Sequence, residues 1–332
     1  MKNLFLVAIA AITLASCGTT KRSDNGSMGS GSTKENRIVL PVSNPTQIAI
    51  DVQYLASDEL MGRETGTEGI DKAAAYLADR FEALGIAPYN EEYMQPFTTD
   101  GISGNNVVAV MPGNDKELMK ETIVIGAHYD HIGIIQAVAG DSIANGANDN
   151  ATGTASVLAI AELFKKLDFN RRKVVFALFS AEEKGLVGSR QLAAQMKASG
   201  ENVVAMINYE MTGTPMLDKP YIAYLTGYDT SNMGEIFNQE NKDRVVTGKL
   251  EAAAQMNLFM RSDNYGFYQE FNVPSQTLST FDFTNFDHYH KVGDEISGIN
   301  AQHMSKVVDA TLPGLFFLAN DNGLKMNPIP NE

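Results

Sequence analysis

Three stretches constrain the fold of this 332-residue chain more than any others. Thr122–Ala127, Lys173–Phe179 and Asn202–Ile207 are near-continuous apolar runs of strand-forming residues, and helical patterns at Thr154–Leu167 and Leu186–Ala198 lie between them. A strand that is apolar on both sides needs cover on both faces. Strands that alternate with helices are joined by right-handed crossovers into a largely parallel sheet. The expectation is an α/β fold: a three-layer αβα sandwich around a largely parallel (mixed), twisted β-sheet. Thr46–Leu55 and Gly69–Leu84 add helices, the second with an apolar stripe of Ala75, Leu77, Phe81 and Leu84 that Gly85 stops. Asn106–Met111, running into Pro112-Gly113-Asn114, reads as a strand and turn; Tyr221–Leu225 and Ser275–Ser279 read as strands and Ala301–Leu318 as a closing helix.

Each of the three apolar runs leads into side chains that bind metals or move protons. They are His128-Tyr129-Asp130-His131, then Glu182-Glu183, then Asn208-Tyr209-Glu210. Taken singly, each has a plain explanation. Two adjacent acids suit the start of a solvated helix, and His131 reads as the cap of a turn. Neighbouring parallel strands, however, would bring all three sets to one edge of the sheet, where α/β enzymes bind ligands. Asn145–Gly153 is dense in Gly and Asn, as tight turns and close backbone approach require. It leads into the helix near Thr154 and places Asp149 either as an N-terminal cap or in the site. A further cluster, Phe286-Asp287-His288-Tyr289-His290, precedes Asp294. His128, His131, His288 and His290 are four of the five histidines in the chain, and histidine this concentrated beside acids argues for metal.

Other functions are disfavoured by composition. The formal net charge is −14, so there is no basic surface for nucleic acid and no attraction to an anionic membrane. With 44% hydrophobic residues the chain can bury a large core, and no repeat or linker interrupts residues 37–328, which are read as one domain. Residues 1–17 read as a signal peptide: Lys2 is the positive start, Leu4–Leu14 the apolar core and Ala15-Ser16 the small residues before cleavage. Leu14-Ala15-Ser16-Cys17-Gly18 resembles a bacterial lipobox, and Cys17 is the only cysteine, which fits lipidation and excludes an internal disulfide framework. Residues 18–36, rich in Ser, Gly, Thr and charge, read as a flexible tether. The expected location is the bacterial cell envelope, lipid-anchored at the outer membrane and facing the periplasm or cell surface. The anchor is the only membrane contact expected, and nothing in the sequence sets an oligomeric state.

The motifs together resemble a known family. Their order is HYDH (128–131), NGANDNATG (145–153), SAEEKGLVGS (180–189), INYEMTG (207–213), SDN (262–264), NVP (272–274) and DHYHKVGDE (287–295). It is similar to the co-catalytic, two-zinc aminopeptidases of the bacterial leucyl aminopeptidase type, related to glutamate carboxypeptidase and glutaminyl cyclase. The resemblance runs from about Ala49 to the last helix. It implies that Asp149 bridges two metals, that His128 and Glu210 complete one, and that Glu183 and His290 complete the other. It implies Glu182 as general acid/base through a metal-bound water, Asp130 as the group orienting His128, and Tyr289 as an oxyanion donor. The implied cofactor is a pair of zinc ions, with cobalt or manganese also compatible, and the implied substrates are peptides with a free N-terminus. Two metals roughly 3.5–4 Å apart would acidify water and polarise the scissile carbonyl. Two divalent ions against three carboxylates and a hydroxide leave a near-neutral centre that a cleft can accommodate.

Glu210 departs from the family, which most often has Asp there, and Ser262-Asp263-Asn264 replaces the more common SDH. The competing readings are a glutaminyl cyclase-like aminoacyltransferase with one zinc, a carboxypeptidase or dipeptidase of the same superfamily, and a non-catalytic binding domain. Retention of both His128 and Glu210 favours two metals. Gln136–Ile143 and Thr226–Met260 are the segments expected to wall the substrate pocket.

Overall fold

At the centre of the computed structural model, strand Glu121–His128 lies between Lys173–Phe179 and Asn202–Glu210, parallel to both. The structure describes residues 39–242 and 244–328; the signal peptide, Cys17 and the tether lie outside the described residues. Ser275–Ser279 adds a fourth parallel strand beside Asn202–Glu210. Antiparallel strands flank this centre. Ile102–Met111 pairs with Lys173–Phe179 and turns back into Met94–Thr99, and Ala223–Leu225 pairs with Ser275–Ser279. Among the described residues the sheet has nine strands and is mixed, with the expected parallel core.

The alternation along the strands explains the layers. Ile123, Ile125, Ala127, Phe176, Leu178 and Ile207 face one way, into a core shared with helices Pro45–Leu55, Glu68–Ala83, Thr152–Leu167 and Ala301–Asn320. Val124, Val175, Ala177, Phe179 and Met206 face the other way, against helices Val187–Ala198 and Asn264–Phe271. Fully burying a Val, Leu, Ile or Phe side chain is worth about 1.5–3 kcal/mol. A strand in such a position is therefore apolar over most of its length.

Helix starts follow local chemistry. Asn44 accepts a hydrogen bond from Thr46 N at 3.0 Å just before Pro45, and Asn300 accepts from His303 N at 3.0 Å. Leu186 is left-handed (φ 62°), so the fourth long helix begins at Val187, one residue later than its periodicity suggests. The strand expected at Asn202–Ile207 continues to Glu210 because its polar residues are paired inside the sheet: Asn208 Nδ2 donates to Ser262 Oγ at 2.7 Å. Ile134–Val138 and Asp141–Ile143 form a small separate hairpin. Among the described residues no helix is long and apolar enough to cross a membrane.

Candidate metal centre

Register brings the functional residues together. Gly126 pairs with Asn208, so two residues further on His128 and Glu210 come level as the last residues of neighbouring parallel strands. Phe179 pairs with His128, and Ala181 (φ 59°) then turns the chain. Glu182 N and Glu183 N donate to the two oxygens of Asp130 at 3.1 and 3.3 Å. Asp130, expected to orient His128, stands 3.6 Å from its Nδ1 through the carboxylate and 3.2 Å through its backbone carbonyl. Its carboxylate therefore anchors the acidic pair as well.

The loop 145–151 is held from two sides. Arg63, fully buried, donates to the backbone carbonyls of Leu55, Tyr129 (2.7 Å), Asn145 (2.7 Å) and Gly146 (2.9 Å). Asp294 accepts from Asn148 N at 2.7 Å and Asp149 N at 3.0 Å. Burial pushes Asp294 up to about 6, against those two donors. Gly146 is left-handed (φ 58°), and a Cβ there would lie 2.5 Å from the His131 ring. The capping alternative for Asp149 does not hold: Asn150 Oδ1 takes that part, accepting from Gly153 N at 3.0 Å and Met211 N at 2.9 Å.

Asp149 then divides its oxygens. Oδ1 is 3.4 Å from His128 Nε2, and Oδ2 is 3.2 Å from His290 Nε2. Glu183 Oε1 is 3.1 Å from the same His290 nitrogen. Donor atoms of His128, Glu182 and Glu210 lie within 4.8 Å of one another, as do those of His131, Asp149 and Glu183. His131 is thus no turn cap. Its Nδ1 sits 3.0 Å from Glu183 Oε1 and 3.8 Å from Asp149 Oδ2. His288 stays outside the centre, against Phe286 and Gly293.

The ionisation of these groups is set by burial and crowding. Burial raises Glu182 well above the usual carboxylate range, with Glu210 and Asp263 adding to it, and burial also raises Glu210. Burial would raise Glu183 too, but hydrogen bonds from His131 and His290 hold it low. Burial opposes charge on His290, yet Asp149 and Glu183 push it up to about 10. On His128 burial is likewise outweighed, by Glu182, Asp130 and Asp149. The Ser262 hydroxyl donates to Glu210 Oε2. The residues fit divalent metal. His128 Nε2, which faces Asp149, is buried without a hydrogen-bond partner, and mixed imidazole and carboxylate donors suit zinc.

Two cavities meet at the centre. One lies beside Glu210 and is walled by Met211, Tyr224, Leu258, Phe281 and Tyr289. The other is a more open groove past Glu182, Glu183 and His290. Leu258 and Met260 from the expected wall segment 226–260 reach these cavities, whereas residues 136–143 line neither. Tyr289 borders both, stacked on His290 with ring centroids 4.0 Å apart. Burial raises its phenol, so it stays a proton donor.

Sequence reasoning missed His131, Arg63 and the link from Ser262 to Glu210. The second histidine of HYDH, adjacent to Asp130, was the available signal for the first. Nothing in the sequence around Arg63 marks it as a clamp.

A model of peptidase family M28 matches residues 106–313. A probable leucine aminopeptidase of Arthroderma otae is 28% identical over 206 residues, covering 60% of this chain and 53% of the relative. The chain spans about half the length of the curated relatives it matches. The fold is shared with BSAP, a zinc aminopeptidase from Bacillus subtilis, at TM-score 0.66 and 14% identity over 86% of this chain and 97% of that one. It is also shared with a Bacteroides thetaiotaomicron glutaminyl cyclase, at TM-score 0.62 and 17% identity over 84% and 99%.

Proposed function

The chain belongs to peptidase family M28, and we propose that it is a zinc-dependent aminopeptidase releasing N-terminal residues from peptides. His128 and Glu210 would hold one ion and Glu183 and His290 a second, with Asp149 placed between the two sets. The observation that best supports this is the division of the Asp149 carboxylate, Oδ1 toward His128 at 3.4 Å and Oδ2 toward His290 at 3.2 Å. When bound, a divalent pair acidifies water and polarises the scissile carbonyl.

The protein's own residues do the rest. Glu182, whose pKa burial raises, takes a proton from the attacking water and hands it to the departing nitrogen. Tyr289, kept protonated, donates to the oxygen that gains charge. Asp130 fixes the Glu182-Glu183 turn through two backbone N–H groups. The Glu210 carboxylate receives the substrate ammonium, and the recess walled by Tyr224, Phe281 and Phe283 receives the N-terminal side chain. The single-zinc cyclase reading leaves His128 and Glu210 without a task.

A panel of aminoacyl fluorogenic substrates, run with chelator and with zinc restored, tests the reading. Activity should vanish with chelation and return with zinc; turnover that resists the chelator would contradict it. On the basis of its lipobox, we also assign the enzyme to the cell envelope through lipidated Cys17. Replacing Cys17 with Ala should release it from the membrane fraction, and full retention there would contradict the anchor.

A further inference from the structure

Among the described residues, two arginines beside the metal centre have no acid to pair with. Arg190, on helix Val187–Ala198, and Arg261, next to Ser262, are exposed and line the groove with Glu182, Glu183, Tyr289 and His290. Four other arginines are committed: Arg63 to four carbonyls, Arg80 to Asp51, Arg171 to Asp115 and Arg172 to Glu121. Among the described residues neither the Arg190 nor the Arg261 guanidinium makes an ion pair or a hydrogen bond within the protein, although the chain carries a net charge of −14. The base of Arg190 packs beside Gly266, where a Cβ would lie 3.1–3.2 Å from Arg190 Cα, Cγ and N.

The chemistry of the proposed reaction, on which this inference rests, sets the direction of the substrate. Glu182 must reach the departing nitrogen, so the chain after the scissile bond leaves along the groove that Glu182 lines. The N-terminal side chain occupies the other recess, which Arg261 borders but Arg190 does not. A group held by both guanidiniums therefore belongs to the leaving portion. Guanidinium groups pair with carboxylates through parallel, charge-assisted hydrogen bonds.

We propose that Arg190 and Arg261 form a carboxylate-binding subsite for the residue after the scissile bond. Preferred substrates then carry either an acidic second residue or, in dipeptides, the α-carboxylate of that residue.

Three peptides separate the two sources: Leu-Ala amide, which has no carboxylate, Leu-Glu amide with a side-chain carboxylate, and free Leu-Ala with an α-carboxylate. The readout is the ratio of kcat/KM to that of Leu-Ala amide, which a partly unfolded variant leaves unaffected. At least one ratio should be about tenfold in the wild type, as expected for a hydrogen bond to a charged group. It should fall toward unity in the Arg190→Gln Arg261→Gln double variant and decline with added salt. The peptide that shows the preference identifies the source. Equal rates on all three peptides, or a preference that survives in the double variant, overturn the subsite and leave the peptidase reading intact. Absence of turnover on all three overturns both.

Discussion

His131 Nδ1 lies 3.0 Å from Glu183 Oε1, and that same oxygen lies 3.1 Å from His290 Nε2. One carboxylate oxygen is thus flanked by two imidazoles, which explains why Glu183 remains ionised despite its burial. The counterpart group around Glu210 has a serine hydroxyl in place of the extra imidazole. The two halves of the centre are therefore unequal in their supporting groups.

Removing this support should affect one ion more than the other. In His131→Ala, affinity at the Glu183 half should drop about 10–100-fold, the usual cost of losing a group that orients a ligand. Competition against a graded chelator reads the two ions separately. Unchanged affinity of both ions would reduce His131 to a packing residue.

Glu182→Gln should preserve the metal content while lowering kcat by about 10²–10⁴-fold, the range of general acid–base catalysis. Metal analysis of the purified variant together with steady-state kinetics checks this. Near-wild-type turnover would remove Glu182 from the proton path.

Arg63 couples the end of the first helix to the loops bearing His131 and Asp149 through four carbonyls. Arg63→Met leaves those acceptors buried and unpaired, so urea unfolding should show a loss of about 3 kcal/mol or more. A loss below about 1 kcal/mol would mean that water takes over its role.

Stability at acid pH should depend on a residue remote from the centre. Burial, aided by Lys306, pushes His303 down to about 4, and its Nε2 has no hydrogen-bond partner. The unfolded chain titrates this group near about 6.5, so between those values it binds more protons than the folded state. The contribution is complete above the unfolded value and is lost as pH falls toward 4. Urea titrations of wild type and His303→Gln at several pH values check it. The variant should fall less steeply, by at most about 1.4 kcal/mol per pH unit. Parallel curves would contradict the assignment.

The parallel core was readable because Thr122–Ala127 and Lys173–Phe179 are apolar on both faces, which in the structure contact both helical layers. The residues that converge were readable from the histidines and acids placed at or just beyond the C-terminal end of each strand. Those that escaped are set by contacts far apart in sequence. Arg63 reaches Gly146 across 83 positions, and Ser262 reaches Glu210 across 52. Met94–Thr99 carries Gln95 and Pro96 and lacks a clear alternation; its partner across the hairpin, Ile102–Met111, determines that it is a strand. His131 enters the centre through the close approach that Gly146 permits, whereas His288 packs against Gly293.

The most direct test of the two-metal centre is a zinc titration of the chelated protein, with bound metal and Leu-substrate hydrolysis tracked together. Two ions per chain should bind, and activity should reach its plateau only as the second site fills. Full activity with one ion bound, or with none, would contradict a centre built around the two oxygens of Asp149.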